Sequence, residues 1–391
     1  MRMENNVYVP HAVPFFAFGF LYYFVSPYIS LLMLDHLPLV MIAQGYLDIN
    51  FFDIFYWIDA VAVFLAFVSG YFLSVAVIST RSNFLSKYVD YSILPNLICS
   101  GLLAFLFLAI YQVYSGGGRL FTGYQTYDIA VLGPVATVVF MAALFWNYFS
   151  KNSAKIMFGI LFAFSSIVLL GFGSRMFFIL GVIAIGLGLL SSRRYLLRSL
   201  RFYLVLLVLI FAVLSIGVWR TEGAMDGSLS DMMFSIFLIE PLFTMTSYSS
   251  FLSAEGGRPE LRVPLDALAS VINFVPSFIF PKKLELINSF AFDVSRFSPF
   301  GASALMANLY SNFGMLFPIY VFTVGSFYGY VRQKSYNSSF FRAVYFSTLP
   351  ILMFHFYREG FITVFKIMFF NGFILPLLVI LLFGYLLRVK A

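Results

Sequence analysis

Apolar residues in this chain neither alternate nor keep to one helical face. They run in blocks of about 20, the length that carries an α-helix across a hydrocarbon core. The blocks fall near residues 14–34, 54–78, 92–113, 127–148, 156–173, 175–191, 202–219, 302–330, 344–358 and 361–387, which predicts ten main spans. Several are short or long for a bilayer, so tilt and local breaks are expected. The period-2 signature of barrel strands is absent, and the expected fold class is an all-α, polytopic helical membrane protein of about 10–12 transmembrane helices. Composition agrees: 61% of the 391 residues are hydrophobic and 10% charged, with a mean hydropathy of +0.93, far from globular averages. The first block has no small-residue cleavage site behind a brief core and reads as a retained span.

Polar segments between the blocks set the orientation. With the N-terminus in the cytoplasm, the inner loops are STRSNFLSKYVD, SKNSAK, SSRRYLLRSLR, VRQKSYNSSFFR and the tail RVKA. Together with Arg2 they hold more than half of the 24 Lys and Arg residues, the positive-inside pattern. The net charge of +7 thus reports sidedness and gives no reason to expect nucleic acid. The chain divides into N-terminal membrane helices (1–219), a large periplasmic loop (220–300) and C-terminal membrane helices (301–391). Two semi-apolar pieces of that loop, MMFSIFLIEPLFTMTSYSSFL and LASVINFVPSFIF, cross together or not at all, because a single crossing would move the loop of Arg332, Lys334 and Arg342 outside. Re-entrant or interfacial helices are the expected form.

Charge inside the apolar blocks points to chemistry. In LGFGSRMFFIL, at 170–180, Arg175 interrupts a run too long for one span, so a tight outer hairpin is expected there. Arg175, Arg220, Arg296 and Arg358 all lie beside predicted outer span ends. Planar guanidinium groups grip phosphate bidentately, and a lipid boundary strengthens each contact, so such a ring suits a lipid-linked phosphate or diphosphate. Separate anchoring of each span, or local pairs Arg220–Glu222 and Arg358–Glu359, would explain the same residues. Glu222, Asp226, Asp293 and Glu359 are candidate general bases toward a sugar hydroxyl, as is His355 if its pKa lies near neutrality. The single cysteine, Cys99, excludes an intrachain disulfide and a Cys-based metal site. Walker, dinucleotide and HExxH signatures are missing, so neither metal nor cofactor is expected.

The GlySerArg turn, the span ending in Trp219-Arg220 before a large outer loop, and the segment SPFGASALMANLYSNFGMLFPIYVFTVG together resemble the bacterial O-antigen polymerases, the Wzy-type oligosaccharide repeat-unit polymerases. The resemblance implies a GT-C-like glycosyltransferase of the bacterial inner membrane whose active site faces the periplasm. Its donor would be a growing glycan on undecaprenyl diphosphate and its acceptor another lipid-linked repeat unit, in lipopolysaccharide O-chain synthesis. The arginines would hold the diphosphate, with Tyr310 and Asn312 of AsnLeuTyrSerAsnPheGly as further substrate contacts; a chain-length regulator and a flippase would be partners. An O-antigen ligase using the same donor, or a lipid-linked oligosaccharide flippase, remain the alternatives.

Overall fold

The computed structural model describes residues 8–33, 54–78, 93–115, 129–172, 174–193, 229–255, 259–275, 282–290 and 303–388, with a few isolated positions between them. Among the described residues the chain is helical throughout, and six helices are long and apolar enough to cross a membrane: Val13–Leu32 (α1), Tyr56–Val77 (α2), Leu94–Ser115 (α3), Asn152–Gly171, Leu305–Ser335 and Phe361–Leu387. Ile129–Tyr148 (α4) precedes Asn152–Gly171 (α5), and Met176–Ser192 (α6) follows it. Leu229–Glu255 (α7), Leu265–Asn273 (α8) and Lys283–Phe290 (α9) occupy the expected loop region. The eighth apolar block breaks into Leu305–Phe313 (α10) and Phe317–Ser335 (α11). Ser339–Thr348 (α12) comes next, continued by a 3₁₀ stretch to Met353 and a single turn, His355–Arg358. The last span, Phe361–Leu387 (α13), contains a π-helical segment from Lys366 to Ile374. The block at 202–219 lies outside the described residues except for two isolated positions. Lipid-sized side chains such as Leu65, Leu73, Leu108, Ile160 and Leu382 are exposed on these helices, as lipid-facing surfaces require.

Helices packed in lipid gain nothing from hiding apolar surface from one another, so close backbone approach must come from small residues. The α2/α11 seam shows this. A Cβ on Gly325 would lie 2.2 Å from the Phe67 carbonyl oxygen, and one on Gly70 2.1 Å from that of Phe322. Ser326 and Gln333 donate across the seam to the Gly70 and Val75 carbonyls. Contacts advance in the same direction along both helices, so α2 and α11 run parallel, the relation that the charge pattern predicts for these two spans. The break at Gly314 has a double cause: its φ of 55° favours glycine, and a Cβ would come within 2.8 Å of the Pro259 and Glu260 carbonyl oxygens. Met315 N–H donates to that same Glu260 carbonyl at 2.9 Å, docking the strap before α8 onto the broken span.

The helix α11 continues to Ser335, past the point where the sequence predicts the inner loop. Arg332 is therefore not a loop residue; it is buried. Its guanidinium donates to the carbonyls of Pro10 and Val9, both at 3.3 Å, and lies 3.3 Å from His11 Nε2. Tyr345 donates to the Pro10 carbonyl as well. The segment before α1 is thus clamped to the inner end of the bundle.

Candidate functional site

The predicted hairpin forms. After α5 the N–H groups of Phe172 and Ser174 donate back to Val168 and Leu169, and Arg175 sits immediately before α6. Arg358 closes the single turn after α12, where Gly360 lets the chain extend before α13. Both guanidinium groups approach one carboxylate, Glu240 of α7: Arg358 Nη2 at 3.2 Å and Arg175 Nη2 at 3.9 Å from Oε1. Arg358 Nη1 also donates to Glu359 at 2.7 Å. The side chains are 18–29% exposed, so the network reaches the surface of the bundle.

The network joins three separate elements: the turn before α6, the single turn after α12, and the middle of α7. Of the expected ring, Arg175 and Arg358 come together, and Glu240 and Glu359 balance them.

Tyr357, next to Arg358 in the chain, joins Tyr23, Tyr56, Thr244, Tyr248 and Met306 in lining a cavity of ≈ 20 Å³, space for about one water. The Tyr23 hydroxyl is buried without a hydrogen-bond partner. Tyr248 donates to Asp59 of α2 at 2.9 Å; Asp59 is 4% exposed, a carboxylate within a span. Tyr310 stacks on Tyr248, with ring centroids 6.3 Å apart, so it borders this polar interior and not the arginines.

His355 is buried, its ring edge-on to Phe177 at 4.8 Å, and neither nitrogen is hydrogen-bonded among the described residues. Asn312 is spent internally: its amide donates to the Asp266 carboxylate and the Asn308 carbonyl, both at 2.8 Å, while its own oxygen accepts from Asp266 N–H at 3.1 Å. It braces α8 against α10. Asn308 Oδ1 accepts from Phe361 N–H at 3.3 Å, which fixes the start of α13 two residues after Glu359. Arg220, Glu222, Asp226, Asp293 and Arg296 lie outside the described residues.

Sequence reasoning missed Glu240 and Asp59. Both carried a signal: an acid before proline in LIEPLF, and a lone acid in IFYWIDAVAVF. An ionisable residue in an apolar run is a site candidate by default. No family model, curated protein or solved structure matches the chain.

Proposed function

We propose that this protein is a periplasm-facing glycosyltransferase of the inner membrane that joins polyprenyl-diphosphate-linked oligosaccharide repeat units, an O-antigen polymerase. The observation carrying the reading is the meeting of Arg175 and Arg358, from distant parts of the chain, on one partly exposed carboxylate. Two guanidinium groups that share one carboxylate suit a diphosphate, whose oxygens exchange for those of Glu240. As the acceptor hydroxyl attacks the anomeric carbon, the bond to the diphosphate oxygen breaks and its electron pair leaves with the polyprenyl diphosphate. The arginines stabilise that developing charge. The hydroxyl proton passes to a carboxylate, Glu240 or Glu359, each within reach of the same arginine. Attack from the opposite face inverts the anomeric configuration.

The buried Asp59 of α2 favours one other reading. An ionisable group within a span is what a lipid-oligosaccharide transporter requires. Purified protein supplied with synthetic lipid-linked repeat units separates the two: a ladder of chain lengths is expected. Movement of the substrate across a vesicle membrane without chain growth would replace the polymerase with a transporter, and transfer only to a lipid A core would replace it with a ligase.

A further inference from the structure

A second cationic site lies away from the arginines, where α8, α9 and the start of α13 meet. Lys283 opens α9 and is 4% exposed. Its Nζ donates to one group, the Val275 carbonyl, at 2.9 Å, although an ammonium carries three donors. Lys366 begins the π-helical segment of α13 and has no hydrogen bond or ion pair among the described residues. The aromatic rings bring the two lysines together: Phe274, beside Val275, stacks on Phe365 and Phe370 at 5.9 and 4.7 Å, so Lys366 lies in the chain between the two rings that hold Phe274. Lys283 is also the charged group that acts on Lys366. Two ammonium groups partly withdrawn from water at one corner, with no carboxylate paired to either among the described residues, are costly unless an anion joins them. Glu285, two residues beyond Lys283, is exposed and pairs with neither.

The surface beside them is inverted. On α8 the buried face carries Asp266, Ala269 and Ser270, and the exposed face carries Leu265, Leu268 and Val271, the last two 58% and 54% exposed. Leu261, Val263 and Val275 extend the apolar exposure at both ends. A short helix that hides its polar side and shows its apolar side belongs against acyl chains at the interface. We propose that this corner binds an anionic phospholipid of the outer leaflet, its phosphate bridging Lys283 and Lys366 and its acyl chains lying along Leu265, Leu268 and Val271.

Native mass spectrometry of the full-length protein, titrated with phosphatidylglycerol or phosphatidylcholine of matched chains, tests this. Phosphatidylglycerol is retained about tenfold more strongly, the preference expected of two lysines at a lipid surface. The double variant Lys283→Gln/Lys366→Gln loses that preference, Lys283→Arg/Lys366→Arg keeps it, and Lys282→Gln on the exposed neighbour leaves it unchanged. Should the double glutamine variant fold poorly, each single variant shows a partial loss. Equal retention of the two lipids, or an unaltered preference in the glutamine variants, overturns the proposal. So does displacement of the lipid by millimolar inorganic phosphate, which would make this a site for the free anion. None of these outcomes depends on glycosyl transfer.

Discussion

Arg332 and Arg358 are the same side chain placed at two levels of one bundle, and their surroundings differ in kind. Arg332 is 8% exposed, and no carboxylate pairs with it among the described residues; backbone carbonyls of Val9 and Pro10 and the His11 ring take up its donors. Arg358 shares Glu240 with Arg175 and holds Glu359, all four side chains being partly exposed. A guanidinium spent on its own backbone is a clamp. One balanced by exchangeable carboxylates keeps a charge that another anion can claim.

The sharpest way to break that contrast is to truncate both arginines. Arg358→Ala lowers ladder formation from lipid-linked repeats by about 10²- to 10³-fold, the usual loss when one group stabilising developing charge is removed. Its melting temperature in detergent moves less than that of the clamp variant Arg332→Ala, because its ion pairs are only partly buried and its carboxylate partners keep other neighbours or solvent when it is gone. Arg332→Ala gives the reverse: about 3 kcal/mol of stability is lost as charge-assisted bonds to two carbonyls disappear, and turnover at a permissive temperature persists. Equal loss of folding in both variants would reduce Arg358 to an anchor.

His355 sharpens the comparison from the other side. It lies three residues before Arg358, yet its ring is buried edge-on to Phe177 and neither nitrogen is hydrogen-bonded among the described residues. A ring that only packs can be replaced by another apolar shape, so His355→Leu keeps ladder formation within about threefold of the parent. A role as general base would instead demand a loss of about 10²-fold or more in the leucine variant.

What the sequence disclosed and what it hid divide along the same physical line. Spans were legible because a 20-residue apolar run leaves a helix little alternative, and Arg175 and Arg358 were legible as cations at the ends of such runs. Glu240 was hidden because its importance lies in two partners far away in sequence. Arg332 was misplaced because a cation at the inner end of a span satisfies the charge rule equally as loop or as last helical turn. Tyr310 and Asn312 stood out in the AsnLeuTyrSerAsnPheGly motif, yet the amide of Asn312 is consumed in bracing α8 against α10.

Glu240 is the finest test of whether the arginine pair is reserved for a substrate. If a diphosphate takes the place of its carboxylate, Glu240→Gln removes the resident competitor while keeping the shape of the side chain. Retention of inorganic pyrophosphate by the purified protein then rises about tenfold, a modest share of the Coulomb energy because the site is partly solvated. Ladder formation need not rise with it: if Glu240 also receives the acceptor's proton, tighter binding coincides with slower turnover, whereas turnover that follows affinity upward leaves that task to Glu359. Pyrophosphate retention that falls, or does not change, would mean that Glu240 positions the two guanidinium groups and is not exchanged for the ligand.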